Sequence, residues 1–155
     1  MASFIRIILV SLALFAGVFT AAAGELFRLS GKDAGGAVVD LSVTEEMISS
    51  IGVTEIHTKV VSLGDKALPV RGIEMRKLLE TNKLVGNNLR VAALDGYAMD
   101  IPRSDVDTYP VVLAFEIDGK RLGVRDKGPA WIIYPVSDHK ELNDPVYEAR
   151  SLWQL

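Results

Sequence analysis

The amino-acid sequence predicts a mixed α/β domain, richer in strand than in helix. Three observations carry that reading. Residues 53–61, VTEIHTKVV, alternate: Thr54, Ile56, Thr58 and Val60 share one face, and Val53, Glu55, His57, Lys59 and Val61 the other. That is the period of a half-buried strand. Residues 111–117, VVLAFEI, form the clearest strand of the chain, and Asp118-Gly119 follows at once. An Asp-Gly pair suits a tight hairpin, because both central residues of such a turn take positive φ. Residues 72–81, GIEMRKLLET, place Ile73, Met75, Leu78 and Leu79 at helical spacing, which predicts one amphipathic helix able to cover a sheet.

The remaining elements follow in order. In residues 1–23, Arg6 precedes an apolar run from Ile7 to Phe19, and small residues follow, with Ala21 and Ala23 at cleavage positions. This reads as a secretory signal peptide cut after Ala23. The rival is an uncleaved anchor, which wants about 20 apolar residues. Residues 24–155 then form the single domain. Leu26, Phe27 and Leu29 predict a short strand, and Gly31, Gly35 and Gly36 a surface turn. Ser42 and Glu45 fit a capping box that starts a short helix ending at Gly52. A turn at 63–66 and a strand at 67–70 complete a hairpin with the run from Val53. Residues 82–88 read as a loop and 89–94 as a strand closed by Asp95-Gly96. Pro102, Asp105 and Asp107 mark a loop, Lys120–Val124 a returning strand, 125–130 a charged turn, and Trp131–Val136 a last strand. The tail, with Pro145, Tyr147 and Trp153, reads as mostly irregular.

Composition removes several kinds of chemistry. The 155 residues include no cysteine and carry a net charge of -3. Disulfides, thiolate nucleophiles, cysteine-ligated metals and lipid attachment are therefore absent. Mild acidity argues against nucleic acid, which wants a concentrated basic surface. His57 and His139 lack partners at ligand spacing, so no metal site is expected. No GxSxG elbow, Walker loop or GxGxxG element occurs. No catalytic residue is assigned, and the balance tilts from enzyme toward binding module.

Two loops carry candidate chemistry. In AALDGYAMDIPRSD, residues 92–105, Asp95 and Asp100 can accept hydrogen bonds from an amino heterocycle. Tyr97 either stacks on a ligand or folds back onto the core. In VRDKGPAWIIYP, residues 124–135, Arg125 and Lys127 offer donors on a turn suited to an anion, a carboxylate or a pyrimidinone carbonyl. The alternative is a salt-bridged turn. Trp131 is either a stacking platform or core.

These loops also carry a resemblance. LPVRGIEMRKLLE at 68–80, RVAALDGYAMDIPRSDV at 90–106 and LAFEIDGKRLGVRDKGPAWIIYP at 113–135 resemble, in that order, the oxidoreductase molybdopterin-binding domain family of sulfite-oxidase-type fold. The resemblance covers roughly residues 54–136. In the family's catalytic members a strand-end cysteine ligates molybdenum just before a loop like DGY. The matching position here is Ala93, whose methyl group ligates no metal. The chain is more similar to short, exported, cysteine-free pterin-binding proteins of the same family that share the RDKGPxWxxYP turn. That resemblance implies a pterin ligand of neopterin or monapterin type, without metal, held near Ala93, Asp95, Tyr97, Asp100, Arg125, Lys127 and Trp131. It also implies a periplasmic, signalling role: relaying pterin status to the periplasmic domain of a membrane-bound diguanylate cyclase or phosphodiesterase, and so to cyclic-di-GMP and biofilm regulation. The alternatives are a periplasmic molybdopterin-dependent oxidoreductase or its accessory subunit, and an interaction module with a vestigial pocket.

Overall fold

A computed structural model describes residues 24–155; the expected signal peptide, residues 1–23, lies outside the described residues. The chain is mixed α/β and strand-rich. β1 (Glu25–Asp33) and β2 (Val38–Thr44) form an antiparallel hairpin. α1 (Glu45–Ile51) follows, then β3 (Thr54–Lys59), β4 (Ala67–Glu74) and α2 (Met75–Thr81). The short β5 (Leu84–Val85) returns to the far edge of β1, giving a sheet ordered β2-β1-β5. β6 (Asn88–Ala92) and β7 (Ala98–Pro102) make a separate two-stranded ribbon. α3 (Arg103–Thr108), β8 (Val112–Ile117), β9 (Lys120–Arg121), β10 (Trp131–Ile133) and α4 (Pro145–Arg150) complete the order. The central sheet runs β10-β8-β4-β3, with β9 hairpinned onto β8.

The central sheet is covered on both faces, which explains the unbroken apolar run of β8. Leu113 and Phe115 face the main core with Ile73, Leu78, Leu79 and Ile132. Val112 and Ala114 face a second cluster with Val70, Trp131 and Ile133. The hairpin after β8 turns as expected, with Asp118 at φ 52 and Gly119 at φ 70. The alternation of β3 also holds: Thr58 is buried, while Glu55, His57 and Lys59 are exposed.

Several local expectations are corrected. The helix predicted from Gly72 begins at Met75, because Gly72, Ile73 and Glu74 still pair with β8. At Gly72 the two backbones approach so closely that a Cβ would lie 2.1 Å from the Leu113 carbonyl oxygen. Ser42 belongs to β2, and the N-cap of α1 is Thr44, whose Oγ1 accepts from the Met47 N–H at 3.3 Å. Gly52, at φ 120, ends that helix as expected.

Residues expected as loops also prove regular. Gly31 lies inside β1, and residues 98–102 form a strand opposite β6. The stretch around Asp105 is α3, entered from Pro102 and supported by an Arg103–Asp107 pair at 2.9 Å, one turn apart. The returning strand stops at Arg121, and β10 stops at Ile133. The tail holds α4, with Asp144 accepting from the Val146 N–H and Pro145 in the first turn. Both are ordinary helix-start signals.

The Gly72 approach gives a test. Gly72→Ala forces the central strands apart and is expected to cost about 2 kcal/mol or more, typical of overpacking, read as a lower urea midpoint. Gly64→Ala, where a Cβ meets open space at φ 108, is expected to cost less.

Candidate functional site

The C-terminal segment binds the two candidate loops together. Residues 152–155 run between them as an extra strand-like piece. The Leu94 N–H donates to the Gln154 carbonyl at 2.7 Å, and the Gln154 N–H donates to the Lys127 carbonyl at 3.1 Å. The Leu155 N–H reaches the Ala130 carbonyl at 3.2 Å, and the Ile132 N–H reaches Leu152 at 2.8 Å. Trp153 forms a bridge with Trp131. One side chain adds to this zipper: Gln154 Nε2 donates to the Val124 carbonyl at 2.7 Å.

A cleft of about 480 Å³ opens where this segment meets the turn after β6. Its walls include Ala93, Asp95 and Tyr97 from the turn, Glu148 from α4, and Trp153. The turn is closed by the Ala93 N–H to the Tyr97 carbonyl at 2.8 Å and by the Tyr97 N–H to Asp95 Oδ1 at 2.9 Å. Gly96, at φ 86, supplies the left-handed step. Asp95 thus keeps one oxygen on its own turn, an Asx arrangement. Tyr97 is exposed rather than folded onto the core, and Trp153 is 43% exposed. Among the described residues, Asp95 and Glu148 form no ion pair and no cationic side chain lines the cleft. The site therefore offers hydrogen-bond acceptors and flat apolar faces.

The predicted residues divide. Ala93, Asp95 and Tyr97 come together in this cleft. Asp100 does not: it pairs with Arg90 at 3.2 Å across the β6–β7 ribbon, on an exposed face. Trp131 is core, 2% exposed, and its indole N–H donates to the Ser151 carbonyl at 3.1 Å. It cannot receive a stacked ring inside this cleft. Lys127 is a structural cation. Its Nζ lies 4.5 Å from the Trp131 ring centre and 4.8 Å from that of Trp153, and donates to Ser62 Oγ at 2.7 Å. Burial lowers its pKa. This two-ring clamp anchors a residue at φ 68, a conformation that costs a non-glycine residue energy. Arg125 is exposed on the neighbouring turn and lies outside the cleft walls.

Sequence reasoning missed Glu148 and Trp153. Both sit in the tail: Glu148 on α4, which only Asp144-Pro145 signalled, and Trp153 in the strand-like segment beyond it. That helix is held by a buried network. Asp105, in α3, accepts from the Tyr134 hydroxyl at 3.0 Å and from Arg150 Nη1 at 2.8 Å. The Arg150 guanidinium also lies over the Tyr147 ring, 5.5 Å from its centre. Burial, reinforced by the Asp105 charge and hydrogen bond, raises the Tyr134 pKa far above its ordinary value. No protein-family model matches the chain, and no curated protein matches it significantly.

Tyr134 generates a pH prediction. Its pKa is raised on folding, so its neutral form stabilises the native state below the unfolded-state value, about 10. That contribution is lost as pH rises beyond it, because only the unfolded chain then ionises. Stability is expected to begin falling at about pH 10 and to go on falling above it. Tyr134→Phe should lower stability near neutrality by about 1 kcal/mol and flatten the alkaline loss. Urea unfolding across that pH range measures both.

Proposed function

We propose that the protein is an exported, non-catalytic pterin-binding protein, a compact form of the sulfite-oxidase-type molybdopterin-binding fold. The observation that carries the reading is the convergence of two exposed aromatic rings and two unpaired carboxylates in one cleft: Tyr97 and Trp153, Asp95 and Glu148. A pterin presents a flat ring and an amino-pyrimidinone edge rich in N–H donors. The carboxylates accept from that edge, and a ring face covers the apolar body. Apolar rings without donors leave the carboxylates unmatched, which favours the amino heterocycle. Ala93, the position matched to the family's thiolate, sits on the same wall and brings no nucleophile or metal ligand. Recognition of this kind needs no bond-breaking group.

The ligand in this reading is of neopterin or monapterin type. The resemblance supplies the downstream partner: the periplasmic domain of a membrane-bound diguanylate cyclase or phosphodiesterase, through which pterin status acts on cyclic-di-GMP. The contact set differs from the sequence expectation, with Trp153 and Glu148 taking the places assigned to Trp131 and Asp100.

Calorimetric titration of purified protein with neopterin tests the reading. Binding is expected, and Tyr97→Ala and Glu148→Gln should each weaken it by about tenfold, or about 1.4 kcal/mol. Trp131→Phe should leave affinity nearly unchanged wherever the fold survives. Folded protein that binds neither neopterin nor monapterin removes the proposal.

A further inference from the structure

A second concavity lies on the opposite side of Ala93. It is a groove of about 560 Å³ between β1 and β6, continued by a hollow of about 280 Å³ toward β5. Its floor is the main core: Met75, Leu78, Leu79, Leu113 and Ile132. Its walls are two strand edges. β1 pairs with β2 on one side, but on the other it meets β5 only at Lys32 and Asp33. β6 pairs with β7 alone. Residues 26–30 of β1 and 89–92 of β6 thus border the groove with no strand between them among the described residues. An antiparallel strand turns alternate N–H and C=O groups toward its free side, so both walls carry unmet backbone hydrogen-bonding capacity.

The two edges are in step. Glu25 and Leu94 line one end, and Gly31 and Asn88 the other, so β1 and β6 run in opposite directions across the gap. Phe27 and Leu29 on β1, and Leu89 and Val91 on β6, turn inward onto one core. Arg28 and Arg90 turn outward and both line the groove. Each holds a carboxylate on its far side, Arg28 that of Asp40 on β2 at 2.9 Å and Arg90 that of Asp100 on β7 at 3.2 Å, and Glu25, at the end of the groove, adds a further negative charge near Arg28. The outer surface therefore reads acid, base, gap, base, acid.

We propose that this groove receives an extended peptide segment of a partner protein, inserted as a strand between β1 and β6. Its inward residues are apolar, and at least one outward residue between Arg28 and Arg90 is acidic. Backbone pairing supplies affinity, and the floor and the two arginines supply selectivity, as in other strand-addition interfaces. An acyl chain would satisfy the floor but leave both edges unpaired. The inference does not rest on the ligand of the cleft.

The test uses protein expressed from its full coding sequence and a phage-displayed library of segments about eight residues long, an upper-range strand length. Enriched peptides are expected to alternate, with Asp or Glu on the polar face. Binding should slow amide hydrogen exchange at residues 26–30 and 89–92. The double variant Arg28→Glu, Arg90→Glu, at exposed positions, should weaken an acidic peptide by about tenfold. It should regain affinity for the same peptide with Lys in place of the acid. The proposal is overturned by no enrichment, by enrichment without acidic residues, or by unchanged affinity after N-methylation of alternate peptide amides. It is also overturned if dodecanoate, and not peptide, protects those amides.

Discussion

The buried carboxylate of Asp105 is the constraint on which the C-terminal third depends. A charge in that position is costly unless it is fully paired. Here the pairing comes from two places distant in sequence, Tyr134 just after β10 and Arg150 at the end of α4. Satisfying one carboxylate therefore fixes α4 against α3 and the end of the central sheet. The same helix delivers Glu148 to the cleft and sets the start of residues 152–155. The network lies outside the lining of the cleft. Its contribution is to make the position of that lining a condition of the fold's own electrostatics.

The zipper of residues 152–155 is the second layer of the same arrangement. It joins the turn after β6 to the turn before β10 through backbone hydrogen bonds. The cation of Lys127 is spent between two indole rings to hold the junction. A lysine that seemed a ligand donor on its turn thus becomes a clamp. Trp131 and Trp153, bridge partners, turn to the same side with ring centres 6.0 Å apart, the first buried and the second 43% exposed.

Much of the fold was legible because its signals are local. The alternation of β3, the Asp118-Gly119 turn and the apolar face of α2 each declare themselves within a few residues. The misreadings have local causes too. Ile73 satisfies a helical period, yet a closely packed partner strand keeps it in β4. Pro102 and Asp105 look like loop punctuation, yet a proline can precede a helix and a buried aspartate can be its tether. The cleft was half legible. Ala93, Asp95 and Tyr97 lie on one turn that the sequence marks with Asp-Gly. Glu148 and Trp153 reach it only by chain reversal, which no spacing rule encodes. The burial of Trp131 is a property of two sheet faces, invisible in the residues around it.

Ala93 is where these strands of argument meet. It closes the turn after β6 by accepting from Gly96 and donating to Tyr97, and it lines both the polar cleft and the apolar groove. A residue in that position is partly core, so a small apolar side chain is compatible with both concavities. A larger or polar one would have to intrude on one of them or be paired inside it. The turn that carries Asp95 and Tyr97 is thus the direct continuation of the open edge of β6. In the proposed readings, a ligand clamping the turn and a strand added to the edge of β6 touch one short segment of backbone, so each can bias the other. Reciprocity of this kind is required by linkage wherever two ligands prefer different arrangements of one shared segment, and Ala93 is the residue that the two surfaces share.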